Sequence, residues 1–216
     1  DILTIVENAR TNGINPSELP SMATESWHEM QSALPSATDE DLDQQLENTI
    51  RQALSELDPA PSQKNAQRCL YLLKESLEAL EKKSITWDHW DRLTDPKPAA
   101  AERESLAPVS EVAERWVEHP RLHRHLKKYL KQTFSIAQNL YEKFIEIKQK
   151  KGVADYGDLE KETLTLLKLE SVRNRLKETI DLLVVDEFQD TSPIQLALFM
   201  QLAECAKRTV WVGDIR

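Results

Sequence analysis

Leu182-Leu183-Val184-Val185-Asp186-Glu187 is the stretch that decides the fold. Four apolar residues end at two carboxylates, which is typical of a strand buried on both faces of a parallel sheet. A second apolar run, residues 209–212, is interpreted as another buried strand and ends at Gly213-Asp214. Between the runs, Pro193 suits the first turn of a helical pattern over residues 194–206. Strand, helix and strand make a βαβ unit whose acidic strand ends share one edge. We expect parallel strands near residues 181–186 and 209–213.

The rest of the chain is predicted to be helical. Glycine occurs 4 times, and the 10 prolines cluster between helical patterns. Apolar residues recur at helical spacing over three long segments, residues 39–57, 66–80 and 121–150. Residues 38–40 offer a cap and first-turn acids to the first segment, and another helix opens at Tyr156. Residues 93–101 are interpreted as a surface linker. The expected fold class is mainly α with a small α/β part.

Composition disfavours several classes of protein. The two cysteines, Cys69 and Cys205, lie far apart in the sequence, so neither a disulfide framework nor a cysteine metal site is expected. No apolar run approaches the roughly 20 residues that a membrane-spanning helix needs. The first residues have neither the basic nor the apolar region of a signal peptide. We therefore expect a cytoplasmic protein with no membrane partner.

One basic segment interrupts an acidic chain. The formal net charge is −9, yet residues 115–151 contain 10 Lys and Arg against 3 Asp and Glu. Cations along a helix can follow a nucleic-acid backbone, and they can equally form a solvated helix face. The candidate DNA contacts in this segment are Arg124, Lys127, Lys128 and Lys131.

Two weaker signals have a plain structural interpretation. Stacking on bases is one use for Trp27, Trp87, Trp90 and Trp116, but packing among helices is the favoured one. His119 and His123 have the i, i+4 spacing of a metal pair, but Pro120 lies between them and disrupts the helix there. We expect no metal at these histidines.

The carboxylates that follow the first predicted strand suggest chemistry. Ligands of α/β folds bind at the carboxyl ends of parallel strands, where Asp186 and Glu187 are expected. An aspartate there can hold Mg²⁺ together with phosphate oxygens and water. A neighbouring glutamate can accept a proton from an attacking water molecule. The alternative is a solvated acidic turn, but Asp-Glu-Phe-Gln-Asp-Thr-Ser after an apolar strand is much more specific than an isolated acidic pair.

Residues 185–195, Val-Asp-Glu-Phe-Gln-Asp-Thr-Ser-Pro-Ile-Gln, resemble motif II of the UvrD/Rep-type, superfamily 1 ATP-dependent DNA helicases. The resemblance implies that Asp186 holds Mg²⁺ and that Glu187 activates water. It also implies that Gln189 senses the nucleotide. Gln195 matches a family glutamine at the start of the next helix and is assigned a supporting role at the cofactor site.

Two shorter stretches extend the resemblance. Val212-Gly213-Asp214 resembles the opening of motif III, which adds Asp214 to the cofactor-binding candidates. Asp155-Tyr156-Gly157-Asp158-Leu159 is similar to a short element that precedes motif II, with Gly157 at a variable place. The resemblance implies a helical insertion subdomain over residues 1–151 and a partial RecA-like motor domain over residues 152–216.

The resemblance also implies cofactors and partners. The parent protein would use Mg²⁺ and ATP, bind single-stranded and duplex DNA, and act in repair or recombination together with the rest of the helicase polypeptide. This sequence has no Gly-x-x-x-x-Gly-Lys-Ser/Thr loop to cradle phosphates. We expect an internal fragment that binds no cofactor and is inert alone. The alternatives are a helical DNA- or protein-interaction module with a structural Asp-Glu strand end and, more remotely, an unrelated Mg²⁺-dependent phosphohydrolase.

Overall fold

The structure is a computed structural model that describes residues 1–98 and 102–214. Over these residues it is mainly helical, with one small sheet, as predicted. The helices are α1 (Ile2–Thr11), α2 (Leu19–Ala33), α3 (Leu42–Glu56), α4 (Lys64–Glu81), α5 (Trp87–Thr94), α6 (Arg103–Glu114), α7 (Pro120–Lys151), α8 (Tyr156–Leu166), α9 (Glu170–Thr179) and α10 (Pro193–Ala203). The strands are β1 (Leu182–Val185) and β2 (Arg208–Trp211), and short 3-10 turns cover Pro16–Glu18, Arg115–Glu118 and Phe188–Asp190.

The chain divides into two compact units. One consists of residues 1–26 and 129–216, and the other of residues 27–128. The predicted domain boundary at residue 151 does not coincide with either limit. The assignment of the two predicted segments to an insertion and a motor domain stays a prediction.

The unit of residues 27–128 is a helical bundle with one apolar core. The core residues come from α3 to α6 and the turn before α5. Its fully buried members include Leu46, Ile50, Leu73, Trp90 and Val109. Along α3 and α4 most buried residues are three or four positions apart and therefore lie on one face, which is why the amphipathic patterns predicted both helices correctly.

The start of α3 differs from the prediction. The helix begins at Leu42, and its cap is Asp41, whose carboxylate accepts the backbone N–H of Gln44 at 3.0 Å. Residues 38–40 lie before the helix and do not cap it. Several cap-forming residues follow one another here, and the apolar face, which starts at the buried Leu42, determines which of them lies at the N-cap.

The unit that contains the sheet has two buried regions. Side chains of α1, α2 and α7 form one of them, with Ala9, Leu19 and Ala137 nearly inaccessible to solvent. The other lies around β1 and α10, where Val185 and Ile194 are buried. The helix α10 starts at Pro193 as predicted and ends at Ala203, three residues earlier than expected.

β1 and β2 pair in parallel, as predicted, with Leu182 opposite Arg208 and Val185 opposite Trp211. The predictions that the first strand is buried on both faces and that the second strand is buried are wrong for this chain. Val184 and its partner Val210 lie on one face and are 56% and 45% exposed. The residues that the structure describes cover the Val185 face and leave the Val184 face open to solvent.

The structure confirms two further predicted helices. The long basic helix α7 and the helix that opens at Tyr156 are both present.

The predicted linker begins inside α5, which ends at Thr94. Residues 95–98 are not helical, and residues 99–101 lie outside the described part. The chain was expected to be mostly helical, but no individual helix was predicted for α1, α2, α5, α6 or α9. Within the described residues, none of the helices is both long and apolar enough to cross a membrane.

Candidate active site

Asp186 and Glu187 lie at the carboxyl end of β1 and are exposed. The backbone turns sharply here, because Glu187 has the left-handed conformation (φ 52°, ψ 39°) that few residues other than glycine adopt. Asp186 Oδ1 accepts the backbone N–H of Glu187 at 3.0 Å, which supports the turn. The result is a pair of adjacent carboxylates at the edge of the sheet, as the sequence predicted.

Gln189 connects this turn to the end of β2. Its side-chain Nε2 donates a hydrogen bond to the Glu187 carboxylate. Its Oε1 accepts the backbone N–H of Asp214 at 3.1 Å. One amide therefore links the glutamate of the first strand end to the backbone after the second. Four candidates, Asp186, Glu187, Gln189 and Asp214, are brought together.

Backbone hydrogen bonds also hold the two strand ends together. Val212 N donates to Val185 O at 2.8 Å, and Phe188 N donates to Val212 O at 3.2 Å. The Phe188 ring meets the Trp211 ring edge-on, with 6.3 Å between centroids. These contacts extend the sheet beyond its last paired residues and bring Gly213 against the 3-10 turn.

A side chain at Gly213 would force its neighbours to move. A Cβ at this position would lie 2.6 Å from one ring atom of Phe188 and closer still to Gln189 Oε1. Real Cβ atoms do not approach other atoms so closely. The glycine therefore permits the contact between Gln189 and Asp214, a role that could not be predicted from sequence spacing.

Gln195 occupies a different place from the other candidates. Its Oε1 accepts the N–H of Ser192, while the Ser192 hydroxyl accepts the N–H of Gln195, which is a capping box at the start of α10. Its Nε2 donates to Glu160 of α8 at 2.6 Å. The oxygen of the amide thus caps α10, and its nitrogen holds α10 to α8. The Ser-x-x-Gln pattern could have revealed this cap.

The start of α8 is anchored by ion pairs. Lys148 of α7 is 9% exposed, and its ammonium lies 2.5 Å from Asp158 and 3.2 Å from Asp155. Asp155 also pairs with Arg10, and both cations lie over the ring of Phe144, 4.6 Å from its centroid for Arg10 and 4.5 Å for Lys148.

Opposing effects act on the pKa of Asp155. Burial alone would raise it, but the hydrogen bonds from the Asp158 backbone and Lys148, together with the charge of Arg10, hold the pKa below its ordinary value. Asp155 is therefore an ionised part of the anchor. The element that resembles the family's pre-motif-II segment thus fixes α8 against α1 and α7.

The four predicted DNA contacts are exposed on α7. These residues are Arg124, Lys127, Lys128 and Lys131. Their spacing of i, i+3, i+4 and i+7 places them on one side of a helix. Among the described residues their side chains form no hydrogen bond or ion pair. Other cations of the basic segment are neutralised by partners. Arg115 pairs with Glu40 at 2.7 Å, and Arg121 pairs with Asp43 at 3.2 Å.

The tryptophans named above pack inside the helical unit. Trp90 is fully buried, and Trp27 is 5% exposed. Trp87 and Trp116 are partly buried against the same core. The packing interpretation of these four aromatic side chains is therefore supported, and base stacking has no structural support.

His119 and His123 do not converge on one point. His119 Nδ1 accepts the backbone N–H of Arg121 at 3.1 Å, and His123 Nε2 lies 2.9 Å from Val117 O. Within the described residues no three His, Cys, Asp or Glu side chains group as metal ligands.

The strand-end carboxylates nevertheless fit a nucleotide-bound Mg²⁺. This ion commonly takes one or two protein carboxylates and completes its shell with water and substrate phosphates. Asp186 uses only Oδ1 in its hydrogen bond to Glu187, and the side chain is exposed at the strand end. Asp186 is thus able to offer a carboxylate oxygen to a metal–phosphate complex.

Sequence comparisons relate the chain to known proteins. The chain is 30% identical over 99 residues to an ATP-dependent helicase/nuclease subunit of Lactococcus lactis subsp. lactis (strain IL1403), a match covering 42% of this chain and 8% of that relative. It is 31% identical over 93 residues to the protein of the same name from Carboxydothermus hydrogenoformans, covering 43% and 8%. The chain thus spans a small part of these relatives. Residues 5–216 match the UvrD/REP helicase N-terminal domain, and the chain belongs to that family.

Proposed function

We propose that this chain is part of an ATP-dependent DNA helicase that couples ATP hydrolysis to translocation on DNA and unwinding of DNA. The observation that carries the proposal is the arrangement at the carboxyl end of β1. There the Asp186-Glu187 pair is linked through Gln189 to the backbone of Asp214. The similarity to helicase/nuclease proteins supports the same function for the longer protein.

Asp186 is the residue proposed to hold Mg²⁺. A bound Mg²⁺ would bridge phosphate oxygens and neutralise the charge that develops on them. Asp186 is suited to this role because it is exposed at the strand end and only one of its oxygens accepts a hydrogen bond among the described residues.

Glu187 is proposed to accept a proton from the attacking water. Its carboxylate is oriented by the Gln189 amide, whose other end is fixed by the backbone of Asp214. A movement of the Asp214 segment would therefore change the position of Gln189 and, through it, the base. This contact gives Gln189 and Asp214 a way to report the state of the nucleotide site. Gln195 would support the site indirectly, by holding α10.

DNA is proposed to contact the exposed cations of α7. Each phosphate contact would release counterions and make binding sensitive to salt. We assign residues 1–151 to the helical insertion and residues 152–216 to the motor domain of a cytoplasmic protein. ATP, Mg²⁺ and DNA would bind the complete helicase, whereas this chain, with no phosphate-binding loop in its sequence, would not hydrolyse ATP alone.

Glutamate replacement in the full-length protein tests the proposal. Glu187→Gln keeps the shape of the side chain and removes the base, so ATPase activity should fall by about 10²-fold or more while ATP binding persists. Glu178→Gln of α9 is the matched control, because Glu178 is exposed and has no hydrogen bond or ion pair among the described residues. Wild-type turnover in Glu187→Gln would exclude the assigned role.

A second candidate function rests on the unpaired cations of α7. The chain would then be a helical DNA- or protein-interaction module in which the Asp-Glu strand end is only structural. This alternative predicts that Glu187→Gln changes neither ATPase activity nor DNA binding, while loss of the α7 cations reduces DNA binding.

A further inference from the structure

A cleft of about 410 Å³ lies in the unit of residues 27–128, between the first half of α4 and the end of α5. Three cationic side chains line it: Arg68 from α4, Arg92 from α5 and Lys97 from the segment after α5. Residues 1–114 contain 10 Lys and Arg against 22 Asp and Glu. The lining of the cleft thus carries three cations and one carboxylate, that of Asp95, in an acidic part of the chain.

Two of these cations have no protein partner in the described part of the chain. The side chains of Arg68 and Lys97 are exposed and form no hydrogen bond or ion pair there. Arg92 is shared between Glu75 and Asp88, at 3.4 Å from each. These contacts are long, and the Arg92 side chain is 42% exposed. Its guanidinium retains N–H groups that a ligand can use.

Contacts within the protein hold the Lys97 segment in place. Lys97 has φ 53°, a left-handed conformation, and its backbone N–H donates to Asp95 Oδ1 at 3.3 Å. The preceding carbonyl, that of Pro96, accepts a hydrogen bond from the buried Cys69 thiol at 3.0 Å. Asp95 also lines the cleft, so its carboxylate partly offsets the three cations and limits how much negative charge the cleft can take.

We propose that this cleft binds a phosphate group, either as free phosphate or as a phosphodiester of nucleic acid. Planar guanidinium groups match phosphate oxygens in paired hydrogen bonds, and a lysine adds a mobile point charge. Asn65 at the start of α4 also lines the cleft and offers an amide donor. The proposal is based on the cations that line the cleft and is independent of the proposed ATPase site.

The test follows backbone amide signals of residues 64–72 by NMR in the 216-residue chain. The ligands are inorganic phosphate and, separately, a short single-stranded oligonucleotide without terminal phosphates. The variant is Arg68→Gln/Lys97→Gln. Its control, Lys74→Gln/Lys83→Gln, removes two exposed cations of the same unit, one from α4 and one at a position that also has φ 53°. Thermal unfolding checks that both variants are folded.

We expect saturable shifts in these amides, with affinity at least about tenfold lower in Arg68→Gln/Lys97→Gln and unchanged in the control. Saturation by phosphate alone identifies free phosphate as the ligand, and saturation by the oligonucleotide alone identifies the phosphodiester. No saturable shift with either ligand overturns the proposal. Equal weakening in the control, or oligonucleotide shifts confined to α7, overturns it as well.

Discussion

Gln189 Oε1 accepts the backbone N–H of Asp214 at 3.1 Å, and the same side chain donates to the Glu187 carboxylate. The amide can do both only because the residue before Asp214 has no side chain. The two strand ends therefore depend on each other: a change at Gly213 must alter the position of Gln189, and a change of Gln189 must affect Glu187.

Gly213→Ala should destabilise this part of the protein. The added Cβ would overlap Gln189 and the Phe188 ring. Overpacking of a core costs about 1–3 kcal/mol, and because these two side chains are partly exposed and can move, a loss of about 1 kcal/mol is expected. Urea unfolding followed by circular dichroism measures the loss. Gly157→Ala is the control, because its Cβ would meet only ordinary contacts at 3.5 Å or more and alanine favours the helix α8. Equal stability of the two variants would contradict this account of Gly213.

Lys148→Met should lower the free energy of unfolding, because it removes the buried ammonium that pairs with the start of α8. The variant leaves Asp158 without its cation and leaves Asp155 paired with Arg10 only. Breaking a fully buried ion pair costs about 3–5 kcal/mol, and because both carboxylates are about a third exposed, about 1–3 kcal/mol is expected here. Lys143→Met, which removes an exposed pair with Glu146, should cost less than about 1 kcal/mol. Similar losses for the two variants would contradict the anchor.

The anchor also predicts a pH dependence. The pKa of Asp155 in the folded protein lies below its ordinary value of 3.8. Stabilisation by this carboxylate is therefore fully present above that pH and is lost as the pH falls through the lower, folded-state pKa. The stability difference between wild type and Lys148→Met should be constant near pH 7 and shrink below about pH 4. A difference that grows on acidification would rule out Asp155 as the ionised partner.

A double-mutant cycle can measure the link between α10 and α8. Gln195→Ala removes the side chain that donates to Glu160 at 2.6 Å, and Glu160→Ala removes its acceptor. We expect a coupling of about 0.5–1.5 kcal/mol in the free energy of unfolding. Ser192→Ala should cost about 1 kcal/mol on its own, because it removes the cap of α10. Additive losses for Gln195 and Glu160 would show that the contact does not stabilise the protein.

Much of the fold could be predicted because local patterns carry it. The apolar run that ends at Asp186 predicted β1 and its parallel partner, and helical spacing predicted α7. The cap of α3 could not be predicted, because Asp41 follows other residues that also form caps. Gly213 was missed since its close contact with Gln189 joins residues 24 positions apart. Exposure of Val184 was missed as well, because burial depends on which elements cover a strand and not on the strand itself.

The basic helix α7 is the expected DNA-binding surface. Arg124, Lys127, Lys128 and Lys131 are exposed and have no partner among the described residues, whereas Arg115 is paired. If these four cations contact DNA, the 216-residue chain should bind duplex DNA without sequence preference, at the weak end of about 10⁻⁴–10⁻⁶ M at physiological salt. Each lost phosphate contact should lower the slope of log affinity against log salt by about 0.9.

The quadruple variant, in which these four residues are replaced by alanine, should therefore have a smaller slope of log affinity against log salt than wild type. It should remain stable, because alanine favours helices. Its charge-matched control replaces four exposed cations elsewhere, Lys74, Lys168, Arg175 and Lys177, and lowers the net charge of the chain by the same amount. Fluorescence anisotropy at two salt concentrations distinguishes a local effect of α7 from a general effect of charge. A solvated helix face predicts equal slopes for wild type and both variants, and that result would exclude α7 as the DNA-binding surface.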